Sequence, residues 1–263
     1  MENTRNSDLS ILICSFDGYS GLWLPHIQAI RKFWPDCPYR IHLGTNYLDS
    51  NLKDVESLKI GQDFGWSDNV LKCVEKINSK YILLFHDDLF LSKKVDNKNL
   101  EMFVSRCVSK NWNYLRIHNS PRGNVYIDES VSEILSESQY RTSVVSAIFK
   151  KEILLELLKG NENAWEFEIN GSKRSRKHKN FYVVNTELFS LLNIVIKGRV
   201  DPLAMKSAKK LGLDISGINL PIMNSFEIIN LYLHRFLRSL FFLIFSDPIR
   251  SKLISLKNYY LLK

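Results

Sequence analysis

His86-Asp87-Asp88 closes an apolar run, Tyr81-Ile82-Leu83-Leu84-Phe85, and Leu89-Phe90-Leu91 follows it. A continuous apolar run bounded by turn-forming polar residues reads as a strand buried on both faces. Two adjacent carboxylates and an imidazole at the end of such a strand are costly to bury without a partner. A divalent cation is a natural partner, and hard oxygen ligands suit Mg or Mn, which are commonly held by one or two carboxylates together with substrate phosphates. Asp88 is the candidate metal ligand. His86 is either a second ligand or a hydrogen-bonding neighbour. In open α/β sheets ligands collect beyond the carboxyl ends of the strands, so chemistry is expected here on a substrate that carries phosphate.

A second group of candidates is basic. Lys173-Arg174-Ser175-Arg176-Lys177-His178-Lys179 is a dense run in an expected loop. Arg174 and Arg176 could close over a leaving diphosphate or meet the phosphate of a lipid-linked acceptor, since guanidinium forks suit phosphate. The bland reading is a solvated charge run. Glu166 and Glu168 flank Phe167; on a strand they would share a face, and at a helix start they would diverge.

The elements that must position these groups alternate. Leu9–Cys14 reads as the first strand, followed by the turn-rich loop Ser15–Gly21 and a helix over Leu22–Phe33. Tyr39–Leu43 reads as a strand, and Asp68–Ile77 as a helix with Ser67 as N-cap. Downstream, Leu100–Val108 and Lys151–Leu158 read as helices, and Tyr114–Ile117, Val144–Phe149, Phe181–Val184 and Ile194–Ile196 as strands. Strand–helix alternation implies a mostly parallel twisted sheet flanked by helices.

A net charge of +8 favours an anionic partner. No zinc-finger, helix-turn-helix or aromatic-interleaved RNA signature accompanies it, so nucleic acid is not expected. Cys14, Cys37, Cys73 and Cys107 are far apart and form no C-x-x-C pair, which points to free thiols in a reducing cytoplasm. The polar start lacks a signal-peptide core, and no apolar run reaches the ~20 residues of a membrane span. From residue 222 to 263 the chain becomes strongly apolar with interspersed Arg and Lys. This suits a basic amphipathic segment lying on a membrane surface, or else a helix packed on the sheet. One domain over 1–221 with a C-terminal helical appendage over 222–263 is the expected organisation.

The region Leu9–Asp88 resembles the nucleotide-binding half of GT-A fold glycosyltransferases, most closely bacterial enzymes that build surface polysaccharides such as O-antigen and capsule. The matching residues are the first strand with its Ser15–Ser20 loop, Gly65-Trp66-Ser67 ahead of a helix, and His86-Asp87-Asp88 at the place of the family's acidic metal motif. His86 stands where that motif usually has its first acidic residue. The resemblance implies a donor half over about 9–90 and an acceptor half over about 91–221. It implies donor contacts from Ser15, Asp17, Tyr19, Trp66, Ser67 and Asp87. Asp17 could accept from a base N–H or a ribose hydroxyl. Trp165-Glu166-Phe167-Glu168 resembles the segment that carries the base of inverting members, with Glu168 as base and Glu166 in reserve. Lys197-Gly198-Arg199 resembles a Lys-Gly segment near the C-terminal end of similar chains, adding Lys197 and Arg199 to the phosphate or acceptor contacts.

The implied function is metal-assisted, inverting transfer from a nucleotide-diphosphate sugar to a hydroxyl of a lipid-linked glycan, in the cytoplasm or on the inner face of its membrane. Two rivals stand beside it: a sugar-1-phosphate nucleotidyltransferase, and a non-catalytic basic module that binds membrane or nucleic acid.

Overall fold

The computed structural model describes residues 8–244. In chain order its elements are β1 (Leu9–Cys14), α1 (Ser20–Phe33), β2 (Arg40–Thr45), β3 (Val55–Lys59), α2 (Trp66–Lys76), β4 (Tyr81–His86) and β5 (Leu89–Leu91). They continue with α3 (Asn97–Ser109), β6 (Tyr114–Arg116), β7 (Val125–Tyr126), β8 (Val131–Glu133), β9 (Ala147–Lys150), α4 (Lys151–Leu157) and α5 (Ala164–Arg174). Last come β10 (Phe181–Val184), β11 (Leu191–Asn193), β12 (Val195–Ile196), β13 (Arg199–Val200), α6 (Pro202–Lys210) and α7 (Ser225–Ile244).

Nine strands form one sheet in the order β3-β2-β1-β4-β9-β6-β10-β8-β7. The first four pair in parallel, β6 and β10 also pair in parallel, and β9 and β8 run against their neighbours. The sheet is therefore mostly parallel, as expected from the alternating elements. Leu9, Ile11 and Ile13 face α1 and α3, with Trp23, Ile27, Leu100 and Phe103 in the same cluster. Leu12 and Cys14 face the other side, where Val70 and Val74 of α2, Leu154 of α4 and Phe167 of α5 pack. Burial on both faces is why β1, Ser10 apart, and β4 up to His86 are apolar rather than alternating.

From β1 the chain winds outward to β2 and β3, then returns to place β4 on the other side of β1. The order reverses between β1 and β4, and such a reversal opens a crevice at the strand C-termini. Cys14 and His86 sit side by side there in parallel register.

Several boundaries differ from the sequence-based expectation. Gly65, with φ +102, is the N-cap of α2, and Ser67 lies inside the helix with a buried hydroxyl that has no partner among the described residues. A β-carbon would be strained at that φ, so glycine is required. β3 carries mixed polar and apolar residues on a sheet edge, which hid it from a search for apolar runs. The basic run 173–179 is not a free loop: it finishes α5 and continues into a short 3-10 turn. None of the four cysteines is in a disulfide. Of the C-terminal appendage, 245–263 lie outside the described residues.

Candidate functional site

A cavity of about 270 Å³ opens at the reversal point. Its walls are the end of β1, the following loop, the start of α2 and the end of β4. Ser15, Tyr19, Trp66, His86, Asp87 and Asp88, all singled out from the sequence, line it together.

Asp87 lies deepest. It is 4 % exposed, and Ser15 Oγ donates to its carboxylate. Trp23 Nε1 of α1 in turn donates to Ser15 Oγ at 2.7 Å. Burial, and next the charge of Asp88, push the Asp87 carboxyl well above the usual range, against the pull of the Ser15 hydrogen bond. Asp87 thus ties β4 to β1 and shapes the floor.

Asp88 is half-buried, and among the described residues its carboxylate accepts from no side chain. Burial raises it to about 6. Its backbone carbonyl accepts from Ile194 N–H at 2.8 Å, bringing the residues before β12 to the cavity rim. His86 stacks on Trp66, ring centroids 6.0 Å apart and 8° from parallel. Burial lowers its pKa to about 4, so the imidazole is neutral, and its buried Nε2 has no partner among the described residues.

These groups fit a cation of limited kind. Asp88 offers a carboxylate and His86 a neutral nitrogen, while the Asp87 carboxylate is engaged by Ser15. Among the described residues no three His, Cys, Asp or Glu side chains gather to cage a metal. That set suits Mg or Mn shared with substrate phosphates, which needs only one or two protein carboxylates.

Asp17 does something other than face a ligand. Its carboxylate accepts from the backbone N–H groups of Asn46, Tyr47 and Leu48 at 2.8, 2.9 and 3.2 Å. Asn46 Oδ1 returns a bond from Asp17 N–H at 3.0 Å. With three amides on it, Asp17 clamps the loop after β2 to the loop after β1, and it does not line the cavity. Asp17→Ala is expected to cost about 1.5–3 kcal/mol of stability, the range for hydrogen bonds to a charged group. Urea melts measure this; an unchanged midpoint would mean that the clamp is not formed in solution.

Sequence reasoning missed both Asp63 and Asn69 as cavity residues. Asn69 is 8 % exposed, and both residues line the cavity. Asp63 Oδ1 accepts from Asn69 Nδ2 and from Gly65 N–H, each at 2.8 Å. The signal available was Asp-x-Gly with Asn four residues on, a turn locked by its own side chains at a helix start.

The acidic pair resolves as a helix start. Glu166 forms a capping box with Asn163, its Oε2 accepting from Asn163 N–H at 2.8 Å. It is therefore spent on the helix end. Glu168, two residues on, turns inward. Its Oε1 accepts from Ser143 Oγ at 2.8 Å and Val144 N–H at 2.9 Å. Among the described residues its second oxygen has no partner. Phe167 between them packs on Trp66, ring centroids 5.3 Å apart, which joins α5 to the cavity wall. Ser143 also lies 3.4 Å from His118 Nε2, and burial holds that imidazole at about 4.

The predicted phosphate contacts separate. Arg174 forks onto Glu162 at 2.8 and 2.6 Å and donates to the Leu157 carbonyl, so its guanidinium braces α5 and is not available to a ligand. Arg176 pairs with Glu137 at 3.0 Å on the surface. Arg199 pairs with Glu227 of α7 at 3.1 Å. Lys197 is exposed in a left-handed turn whose next residue, Gly198, approaches the Tyr19 hydroxyl. Lys197 is thus the one of the four held near the cavity without an ion pair among the described residues. Ser67 points into the domain rather than the cavity.

No protein-family profile and no curated protein matches the chain. Solved structures do. UDP-glucose pyrophosphorylase complexed with UDP-glucose superposes with a TM-score of 0.51 at 13 % identity, over 78 % of this chain and 98 % of that one. TarS 1-349 from S. aureus gives a TM-score of 0.48 at 10 % identity, over 69 % of this chain. The match spans 59 % of that TarS chain, less than two thirds of its length. The likeness establishes the fold: a mixed, mostly parallel sheet flanked by helices, shared with an enzyme of nucleotide-sugar chemistry.

Proposed function

We propose that this chain transfers a sugar from a nucleotide-diphosphate sugar to a hydroxyl of a glycan acceptor, with inversion at the anomeric carbon. The observation that carries this reading is Glu168. One oxygen is fixed by Ser143 and Val144 and the other is uncommitted, on a helix that shares the Trp66 wall of a carboxylate-bearing cavity.

In this reading the donor lies in the cavity with its diphosphate towards Asp88 and Lys197. The acceptor O–H gives its proton to the free oxygen of Glu168 as the acceptor oxygen bonds to the anomeric carbon. The bond from that carbon to the diphosphate oxygen breaks, and the electron pair leaves with the nucleoside diphosphate. Asp88, with His86 as a neutral neighbour, would hold a divalent cation, which would neutralise charge on that leaving group. Ser15 and Asp87 hold the floor in place, so that the two substrates are presented in line. The acceptor is proposed to be a lipid-linked surface glycan, met at the inner face of the cytoplasmic membrane.

A nucleotidyltransferase is the rival that the fold itself raises, because a pyrophosphorylase shares it. That chemistry handles a triphosphate and calls for cationic residues in the loop after the first strand. Ser15–Gly21 contains no Lys or Arg, which favours the transferase.

The test is a thermal-shift panel against UDP, GDP, dTDP and CMP and against UTP, GTP, dTTP and CTP, each with and without Mn. Ligand at about 100 times its Kd stabilises the native state by about 2.7 kcal/mol, a shift of several degrees. One nucleoside diphosphate is expected to raise the melting temperature in a Mn-dependent way. No shift with any of them sinks the donor site; a shift with a nucleoside triphosphate alone moves the assignment to the nucleotidyltransferase.

A further inference from the structure

Glu168 stands at one end of a polar chain that crosses the strand ends. Ser143 Oγ donates to Glu168 Oε1 at 2.8 Å, and His118 Nε2 lies 3.4 Å from the same hydroxyl. A serine hydroxyl has one hydrogen and two lone pairs. Its hydrogen here is committed to Glu168. The lone pairs face Val145 N–H at 3.3 Å and His118 Nε2. His118 Nε2 is therefore the donor of its pair, which makes the ring the Nε2–H tautomer. At 3.4 Å the contact is long, as such contacts are before substrate binds. Burial, and next the charge of Arg116, hold this imidazole at about 4, so at neutral pH it carries one proton only. Nδ1 is left as a bare acceptor, and among the described residues no group donates to it.

The fold brings these groups to the edge that holds the cavity. β9 runs against both β4 and β6, so β4 and β6 end on the same side of the sheet. Asp87-Asp88 follows β4, His118 follows β6 and Ser143 precedes β9. Ile117 N–H donates to the Ser146 carbonyl at 3.3 Å and joins the last two. With neighbouring strands about 4.8 Å apart, His118 leaves the sheet roughly 10 Å from the Asp87-Asp88 turn. The width of one strand thus lies between the diphosphate end and His118. Arg116 is fully buried beneath, its guanidinium engaged by the Tyr140 and Pro121 carbonyls at 3.1 and 2.7 Å.

We propose that His118 binds the acceptor: its bare Nδ1 accepts from a second hydroxyl of the sugar ring whose adjacent hydroxyl gives its proton to Glu168. Ser143 is the positioning residue, since its one hydroxyl fixes both the Glu168 oxygen and the His118 tautomer. The acceptor so selected is a vicinal diol. An analogue lacking the second hydroxyl leaves Nδ1 unpaired, and sites built to pair a substrate hydroxyl reject such analogues. This inference rests on the transferase proposed above.

The first measurement needs no substrate. The full chain is labelled with ¹⁵N-histidine, and the His118 ring is assigned from the signals missing in His118→Gln. Long-range proton–nitrogen correlations at neutral pH are expected to show the Nε2–H tautomer, with signals that move in Ser143→Ala. The second measurement is transfer from UDP-glucose, GDP-mannose and dTDP-rhamnose to octyl glucoside, galactoside and mannoside and their monodeoxy counterparts. His118→Phe is expected to raise the acceptor KM about tenfold, with kcat and the nucleotide-induced thermal shift changed far less. His118→Gln keeps a donor for Ser143 and an acceptor for the sugar, and is expected to recover most of that loss. The parent is expected to prefer the full acceptor over a monodeoxy one about tenfold, and His118→Phe to have no such preference. Should His118→Phe fold poorly, the tautomer and the acceptor preference of the parent still decide. The Nδ1–H tautomer with transfer intact overturns this inference alone, as does an unchanged KM or acceptor preference in His118→Phe. Absence of both transfer and any nucleotide shift removes the transferase, and this inference with it.

Discussion

Glu168→Gln is expected to lower kcat for sugar transfer by about 10³-fold, within the 10²–10⁴ contributed by a positioned general base. The substitution is nearly isosteric. A Gln carbonyl oxygen can still accept from Ser143 Oγ and Val144 N–H, so α5 should stay in place. What disappears is the basic oxygen that takes the acceptor proton. Donor binding, read as the nucleotide-induced thermal shift, should change by less than about twofold, because the interaction removed is made only in the transition state. Single-turnover transfer measured beside that shift makes the split visible. Retained transfer activity would move the base elsewhere, and loss of both readouts together would mean that Glu168 holds up the cavity rather than the reaction. A companion Glu166→Ala variant separates the pair: Glu166 is committed to the Asn163 capping box, and its loss should touch stability by about 1 kcal/mol and kcat little.

Asp88→Asn is expected to abolish the Mn-dependent part of donor binding and to reduce transfer by at least about 10²-fold, the scale on which a lost metal-binding or charge-stabilising group is felt. Its effect on the ligand-free protein should have the opposite sign. Burial raises the Asp88 carboxyl to about 6, above its unfolded value, so the folded state disfavours the charge. The unfavourable contribution is present at neutral pH, above the folded-state pKa, and fades as pH falls below it. Removing the charge also relieves repulsion on Asp87 next to it. The variant should therefore melt no lower than the parent at neutral pH, and somewhat higher. Calorimetry without nucleotide, followed by titration of UDP with Mn, gives both halves. A destabilised variant would show that Asp88 has a structural partner; one with undiminished Mn-dependent binding would remove it from the metal. Function maintained at the expense of stability is the usual signature of a working site.

Much of the cavity was legible before any coordinates. β1 and β4 betray themselves because strands buried on both faces are apolar almost throughout, Ser10 being satisfied by Ser79, and the chain turns strongly polar where they end. Ser15 and His86-Asp87-Asp88 stand at those ends, so the strand run and the position of the chemistry are one signal. Their convergence needs only a parallel pair, which the intervening helices impose.

What the tertiary structure decided is which polar groups are free. Asp17 and Ser15 sit two residues apart in one loop, yet Asp17 is consumed by amides 29 to 31 residues away, and no local pattern reports that. Arg174 and Arg176 read as phosphate ligands until Glu162 and Glu137 are seen beside them. Lys197 reads no differently, and among the described residues it has no such partner. Glu166 and Glu168 were indistinguishable as an i, i+2 pair. Once α5 forms, successive residues turn by about 100°, and one carboxylate goes to the helix end while the other goes to Ser143. Hydrophobic burial is short-ranged in sequence and periodic, so the chain itself determines the strands, the helices and the edge where they end. Whether a charged side chain serves the fold or a ligand depends on long-range contacts with no period at all, and only the folded molecule decides it.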